Sequence, residues 1–500
     1  MTPGLVVTIL IVYFAVLILI SVITSRGADT NTFFTANRQS PWYLVAFGMI
    51  GSSLSGITFI SVPGSVGKVG LSYFQVVLGY LVGYWVIIAL LMPLYYKMNL
   101  VSIYSYLEQR FNKVSYKTGA FFFLVSRSLG SALRLYLAAT VLQLFLFDAR
   151  GVPFIVTVAT TIILIWIYTF RGGVKTIVYT DSFQTIFLVS AVCITVWQIT
   201  SRLDLSFAGM IEAVNASSYS RIFHFDNPNS SLFFPKQFFG GMFITITMTG
   251  LDQEIMQKNL TCKTLDDAKK NMLWFSFIMA AVTFLFLLLG ALLYLYSSAN
   301  GLALPAASDE LFPRLALNDL GLLVGVFFLL GIIASSYASA DSALAGLTTS
   351  FCIDFLNFKD KSEQTRSKQK FIVHVGFSLL FLIIILVFKE INERSLIDAV
   401  LTVASYTYGP LLGLFAFGLF TKRQVTDKLV PLVCALSIVL CLLISPPSLK
   451  VMCESLPSVF CDYAHWRLEV LNGYEIGLEL LIINGLITFL GLFLISKKSN

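Results

Sequence analysis

Between Leu5 and Ile495 polar loops, the longest at about 202–235, cut the chain into thirteen apolar stretches, at about 5–23, 42–66, 71–96, 116–147, 153–170, 176–200, 236–257, 271–298, 318–353, 371–388, 395–420, 428–445 and 472–495. Each is near the ~20 residues an α-helix needs to cross a bilayer core. Backbone groups in hydrocarbon must be bonded within their own segment, so helices are the expected element. The chain is 57% hydrophobic and 12% charged, against roughly 25% charged in a soluble domain. The sequence therefore predicts an all-α integral membrane protein whose largest partner is the lipid bilayer. A soluble enzyme does not fit, and no nucleic-acid partner is expected. The first run, Leu5 to Ile23, lacks a basic region before it and a small-residue cleavage site after it, so it reads as a retained helix.

The formal charge of +7 is explained by topology. With the amino terminus outside, 22 Lys and Arg fall in cytoplasmic loops and 10 outside, with Arg127 and Arg134 inside a span. That asymmetry follows the positive-inside rule and places the carboxyl terminus in the cytoplasm, with the inner (plasma) membrane as the expected location. Of seven cysteines, four lie in apolar spans and show no metal spacing. Cys453 and Cys461 share one outside loop, where a disulfide could persist.

One stretch departs from a uniform helix: Gly48-Met-Ile-Gly51-Ser-Ser-Leu54-Ser-Gly-Ile-Thr58-Phe-Ile-Ser-Val-Pro63-Gly64. Glycine lowers helix propensity and Pro63 removes a backbone donor, so this span is expected to break. Carbonyls freed at membrane depth need a partner, and broken helices are where secondary transporters place ions and solutes. The span at 236–257 begins with a similar Gly- and hydroxyl-rich run, from Phe238 to Gly250. Taken together, the spans suggest one domain with an extra amino-terminal helix at 5–24, five-helix units at 42–200 and 236–420, and two further helices at 428–495. An odd number of helices per unit makes the two units inverted with respect to one another.

Within the span at 318–353, Ser335, Ser339 and Ser342 share a helix face and Ser336 lies one position round. These small residues could simply let helices approach closely, or their hydroxyls could face the broken stretch and serve a hard cation. Asp181 and Asp341 are carboxylates at membrane depth, where a charge costs at least ~2.5 kcal/mol on insertion scales. For Asp181 the bland alternative is an ion pair with a basic neighbour. Arg127 and Arg134, seven apart on one helix, could bind a carboxylate, snorkel, or pair with Asp or Glu. No nucleophile–base set emerges, so an enzyme is not expected.

At these residues the sequence resembles the sodium/solute symporter family, whose fold is similar to that of LeuT. Three motifs carry the likeness: Gly172-Gly173 through Thr180-Asp181 and Gln184; Asp252-Gln253 through Gln257-Lys258; and Tyr406 through Gly409-Pro410 to Lys422-Arg423. The resemblance implies Na⁺ as the coupled ion, held by the carbonyls of Gly51, Leu54 and Ile332 and the hydroxyls of Ser335 and Ser336. It offers Asp181 and Ser339 to a second Na⁺ or to an exit path, with Ala338 standing where some members carry another serine. Solute contacts carried over by position are Ser55, Thr58, Tyr73, Gln75, Thr245, Thr249 and Tyr406, with Arg127 or Arg134 as the cationic group. The expected function is sodium-coupled import of a small organic solute, carboxylate-bearing in the favoured reading, by a monomer using alternating access. The alternatives are proton coupling on the same fold, or a solute sensor or channel built on it.

Overall fold

A computed structural model of the chain describes residues 3–26, 30–143, 147–148, 151–170, 173–358, 361–391, 396–445, 472 and 474–498. Cys453 and Cys461, and Gly172 of the first motif, lie outside the described residues. The principal helices are α1 (Pro3–Thr24), α2 (Trp42–Ser53), α3 (Gly56–Val69), α4 (Tyr73–Val86) and α5 (Lys113–Leu142). They continue with α6 (Phe154–Thr169), α7 (Gly173–Arg202), α8 (Phe234–Thr245), α9 (Gln253–Asn259) and α10 (Leu265–Ala299). The last six are α11 (Leu322–Ser350), α12 (Glu363–Ile391), α13 (Leu396–Thr407), α14 (Gly409–Phe420), α15 (Val430–Ile444) and α16 (Leu480–Leu494).

Among the described residues eight helices are long and apolar enough to cross a bilayer, or ten when the bent pairs α2–α3 and α13–α14 each count as one span. The other three expected stretches have a physical reason for falling short of that measure. Those at 153–170 and 472–495 form the shorter helices α6 and α16, and that at 236–257 is divided between α8 and α9 by a π-helical turn, Ile246–Gly250.

The chain divides into two compact units. The first comprises Met1–Phe74, Arg127–Ile222 and Gln253–Val400. Here α7 lies along α11, and α2 packs on both, while α3 packs on α10. The expected helix break falls at Leu54–Ser55, where α2 and α3 meet at 62°. Leu54 ends α2 by donating to the Ile50 carbonyl (2.8 Å), and Ser55 is extended (φ −66°, ψ 168°) before α3 restarts. Pro63 lies inside α3, so it is the glycine and serine run and not the proline that marks the break.

The second unit comprises Gln75–Ser126, Phe223–Asp252 and Leu401–Asn500. Arg110 donates from Nε to the Gly418 carbonyl (3.0 Å) and from Nη2 to those of Thr421 (2.7 Å) and Arg423 (2.9 Å). That guanidinium satisfies the carbonyls at and just past the end of α14, which have no helical partner. A two-residue antiparallel ribbon, Gln424–Val425 with Ser496–Lys497, ties the chain after α14 to the end of α16.

Candidate functional site

The break between α2 and α3 leaves backbone oxygen without helical donors. Among the described residues no backbone N–H closes on the carbonyls of Gly51 or Leu54, and both residues are buried. Buried carbonyls of this kind require a partner. The Gly51 N–H is taken by Thr185 Oγ1 on α7 (3.0 Å), which in turn donates to the Asp181 carbonyl (2.8 Å). Thr185 thus fixes α2 against α7 just before the break. Nothing singled it out in the sequence beyond its place one turn after Asp181.

The serines of α11 stand against this break. A Cβ on Gly56 would overlap Ser336 Oγ and lie 3.6 Å from Ser335 Oγ, so glycine there lets the start of α3 approach without displacing the Ser336 hydroxyl. Ser335 Oγ donates to the Ile332 carbonyl (3.1 Å), leaving its oxygen lone pairs to accept. Ser336 Oγ is buried and has no hydrogen-bond partner among the described residues. A buried orphan hydroxyl costs free energy unless something satisfies it. Neutral oxygens of this sort suit a hard monovalent cation. Gly51 and Leu54, at the end of α2, and Ile332, Ser335 and Ser336, on α11, all lie in the first unit, where α2 packs on α11.

The charged candidates are engaged by side chains. Lys258 Nζ sits 2.6 Å from Asp181 Oδ2, with both groups buried. Ser342 Oγ bridges Asp181 Oδ2 (3.3 Å) and Asp341 Oδ1 (3.1 Å), and the Tyr168 hydroxyl donates to Asp341 Oδ2 (2.8 Å). The ion pair that the sequence left open for Asp181 is thus present, made by a lysine that its position assigned to a loop. Arg127 pairs with buried Glu254. Arg134 donates to Ser339 Oγ (3.2 Å). Glu254 and Lys258 are four apart on α9, a spacing that lets them pair with each other on an isolated helix. Each reaches a different helix instead, so α9 links α5 to α7 through two buried ion pairs.

The remaining candidates divide between the units. Ser55, just before α3, is buried, Thr58 is half-buried on the first turn of α3, and Tyr73 opens α4. In the second unit Gln75 brackets a loop, donating to the Leu232 carbonyl (3.1 Å) and accepting from the His224 N–H (3.1 Å). Thr245 and Thr249 are buried at the end of α8 and in the π-helical turn after it, and the Tyr406 hydroxyl bonds Ser445 Oγ.

The profile of the Sodium:solute symporter family matches residues 33–428. Over 417 residues the chain is 25% identical to the sodium/sialic acid symporter NanT of Aliivibrio fischeri, an alignment covering 80% of this chain and 79% of that one. It is also 25% identical over 410 residues to the human sodium/iodide cotransporter, with 79% of this chain and 62% of that one aligned. Among solved structures, a Na⁺-coupled sialic acid symporter in its substrate-bound outward-open state superposes with a TM-score of 0.80 over 99% of both chains at 18% identity, a likeness of fold. The family match spans most of the chain, its three motifs fall in that span, and this protein belongs to the Sodium:solute symporter family.

Proposed function

We propose that the chain imports a small carboxylate-bearing solute together with Na⁺ by alternating access. In this reading Na⁺ is held by the carbonyls of Gly51, Leu54 and Ile332 and the hydroxyls of Ser335 and Ser336. The observation that carries it is the buried, unpartnered Ser336 hydroxyl facing the break between α2 and α3. Sodium coupling is the property the family is named for, and the carboxylate follows from the sialic acid relative together with an arginine, Arg134, on α5. Ser55, Thr58, Tyr73 and Arg134 are the proposed solute contacts of the first unit. Gln75, Thr245, Thr249 and Tyr406 are carried over by resemblance.

Asp181 and Ser339 already bind Lys258 and Arg134, which favours an exit-path role for them and a single Na⁺ per solute. The architecture proposed with this mechanism is thirteen spans, with inverted repeats at 42–200 and 236–420, in a monomer of the inner membrane whose amino terminus is outside. A thermal-shift screen of the purified protein in sodium against choline chloride, with sialic acid, lactate, iodide, glucose and proline, tests the reading. Stabilisation by Na⁺, increased by a carboxylate compound only in its presence, is expected. A response to the solutes that is the same in choline would contradict it. Gly56→Val should abolish Na⁺-specific stabilisation, because the added side chain occupies the space of Ser336 Oγ.

A further inference from the structure

The second unit contains a bend whose polar groups are satisfied from outside the bent helix itself. Helices α13 and α14 meet at 41° between Thr407 and Gly409. Proline at position 410 has no N–H, so the Tyr406 carbonyl has no donor four residues on. Asn484, buried on α16, fills that place: its Nδ2 donates to the carbonyls of Tyr406 (2.9 Å) and Ser405 (3.0 Å). A side chain on Gly409 would overlap the Asn484 amide, so glycine there is what lets α14 rest on the cap. One turn on, Thr488 accepts no such duty. It donates to the Asn484 carbonyl (3.0 Å) and to Ser437 Oγ on α15 (2.9 Å), and so joins the last two helices beneath the bend.

We propose that Asn484 is a positioning residue for transport: from the final helix it holds the α13–α14 bend, and through the bend the placement of Tyr406. In hydrocarbon an uncapped carbonyl has no water to turn to, so the amide replaces the missing helical bond. It does so without straightening the helix, which an N–H at position 410 would tend to do. Tyr406 lies two residues before the break and bonds Ser445 at the end of α15, so the C-terminal helices hold this residue at both its backbone and its hydroxyl. The link to solute binding rests on the symport reading above, whereas the link to the bend does not.

Two measurements on the full-length protein separate these. Hydrogen exchange in detergent should be about tenfold faster at residues 403–412 in Asn484→Leu than in the natural protein. Thr488→Val, which leaves the Asn484 amide in place, should not change it. Unchanged exchange at the bend in a folded Asn484→Leu protein overturns the proposal. The second measurement is uptake of labelled sialic acid into proteoliposomes. Asn484→Leu should raise KM roughly tenfold at an unaltered half-maximal Na⁺ concentration.

Where Asn484→Leu alone does not fold, Asn484→Leu with Pro410→Ala supplies a backbone N–H for Tyr406. That double variant is expected to fold with a protected 403–412 segment yet keep the raised KM. Recovery of a normal KM in it would show Asn484 to be a structural patch only, and overturn the proposal. Absence of Na⁺-dependent uptake by the natural protein would count against sialic acid as solute, while the exchange measurement still decides the role of Asn484.

Discussion

Ser336→Ala should raise the Na⁺ concentration for half-maximal uptake by roughly tenfold, about 1.4 kcal/mol, with little loss of folded protein. The asymmetry follows from the hydroxyl's surroundings. Among the described residues Ser336 Oγ makes no hydrogen bond, so removing it breaks none of those contacts and relieves a buried unsatisfied group. In the proposed site its partner is the ion. A role confined to close helix packing predicts the opposite pattern, since alanine packs as tightly as serine and uptake would keep its Na⁺ dependence. Ser335→Ala should act in the same direction with an added structural cost, because Ser335 Oγ also bonds the Ile332 carbonyl. Titrating uptake against Na⁺ in proteoliposomes, with thermal stability measured on the same preparations, separates the two readings.

Lys258→Met should destabilise the protein by about 3–5 kcal/mol, the usual cost of removing one partner from a buried ion pair. The carboxylate of Asp181 would then be left at membrane depth with only Ser342 bonded to the same oxygen. Lys258→Met combined with Asp181→Asn should recover most of that loss, since a neutral pair carries no uncompensated charge. Thermal unfolding in detergent, monitored by the fraction surviving size-exclusion, reads both variants. If the single variant were as stable as the natural protein, the pair would not be holding α9 to α7. Because Glu254 and Lys258 share α9, removing Arg127 in the same background should give a non-additive loss.

Much of the membrane architecture was legible in the sequence because hydrocarbon leaves the backbone few choices. Apolar stretches of bilayer length became helices, and the glycine-rich stretch at 48–64 became a break. Its exact place was not legible. Glycine and proline both weaken a helix, and it took the structure to show α3 running through Pro63. That the α11 serines face the break was one of two readings the residues left open, the other being close helix packing, and the family resemblance favoured it; the structure brings the start of α3 against Ser336, where a Cβ on Gly56 would overlap the hydroxyl.

The ion pairs were hidden for a different reason. Arg127 and Glu254, or Asp181 and Lys258, are far apart in the chain, and local spacing says nothing about which long-range partner a charge meets. Lys258 was further disguised by lying near a span end, where topology alone accounts for a cation. Asn484 carried no signal in its own apolar helix. Only Pro410, by removing one donor, pointed to a carbonyl in need of a cap.

The central claim, that movement of solute is driven by Na⁺ bound at the α2–α3 break, is tested most directly by counter-gradients in proteoliposomes of the natural protein and of Ser336→Ala. Labelled sialic acid and ²²Na⁺ would be followed together under an inward Na⁺ gradient, an inward proton gradient with choline, or neither. The expected result is coupled accumulation of both labels under the Na⁺ gradient alone, with the Na⁺ requirement shifted roughly tenfold upward in the variant. Accumulation driven by the proton gradient in choline, or a variant with an unaltered Na⁺ requirement, would contradict it.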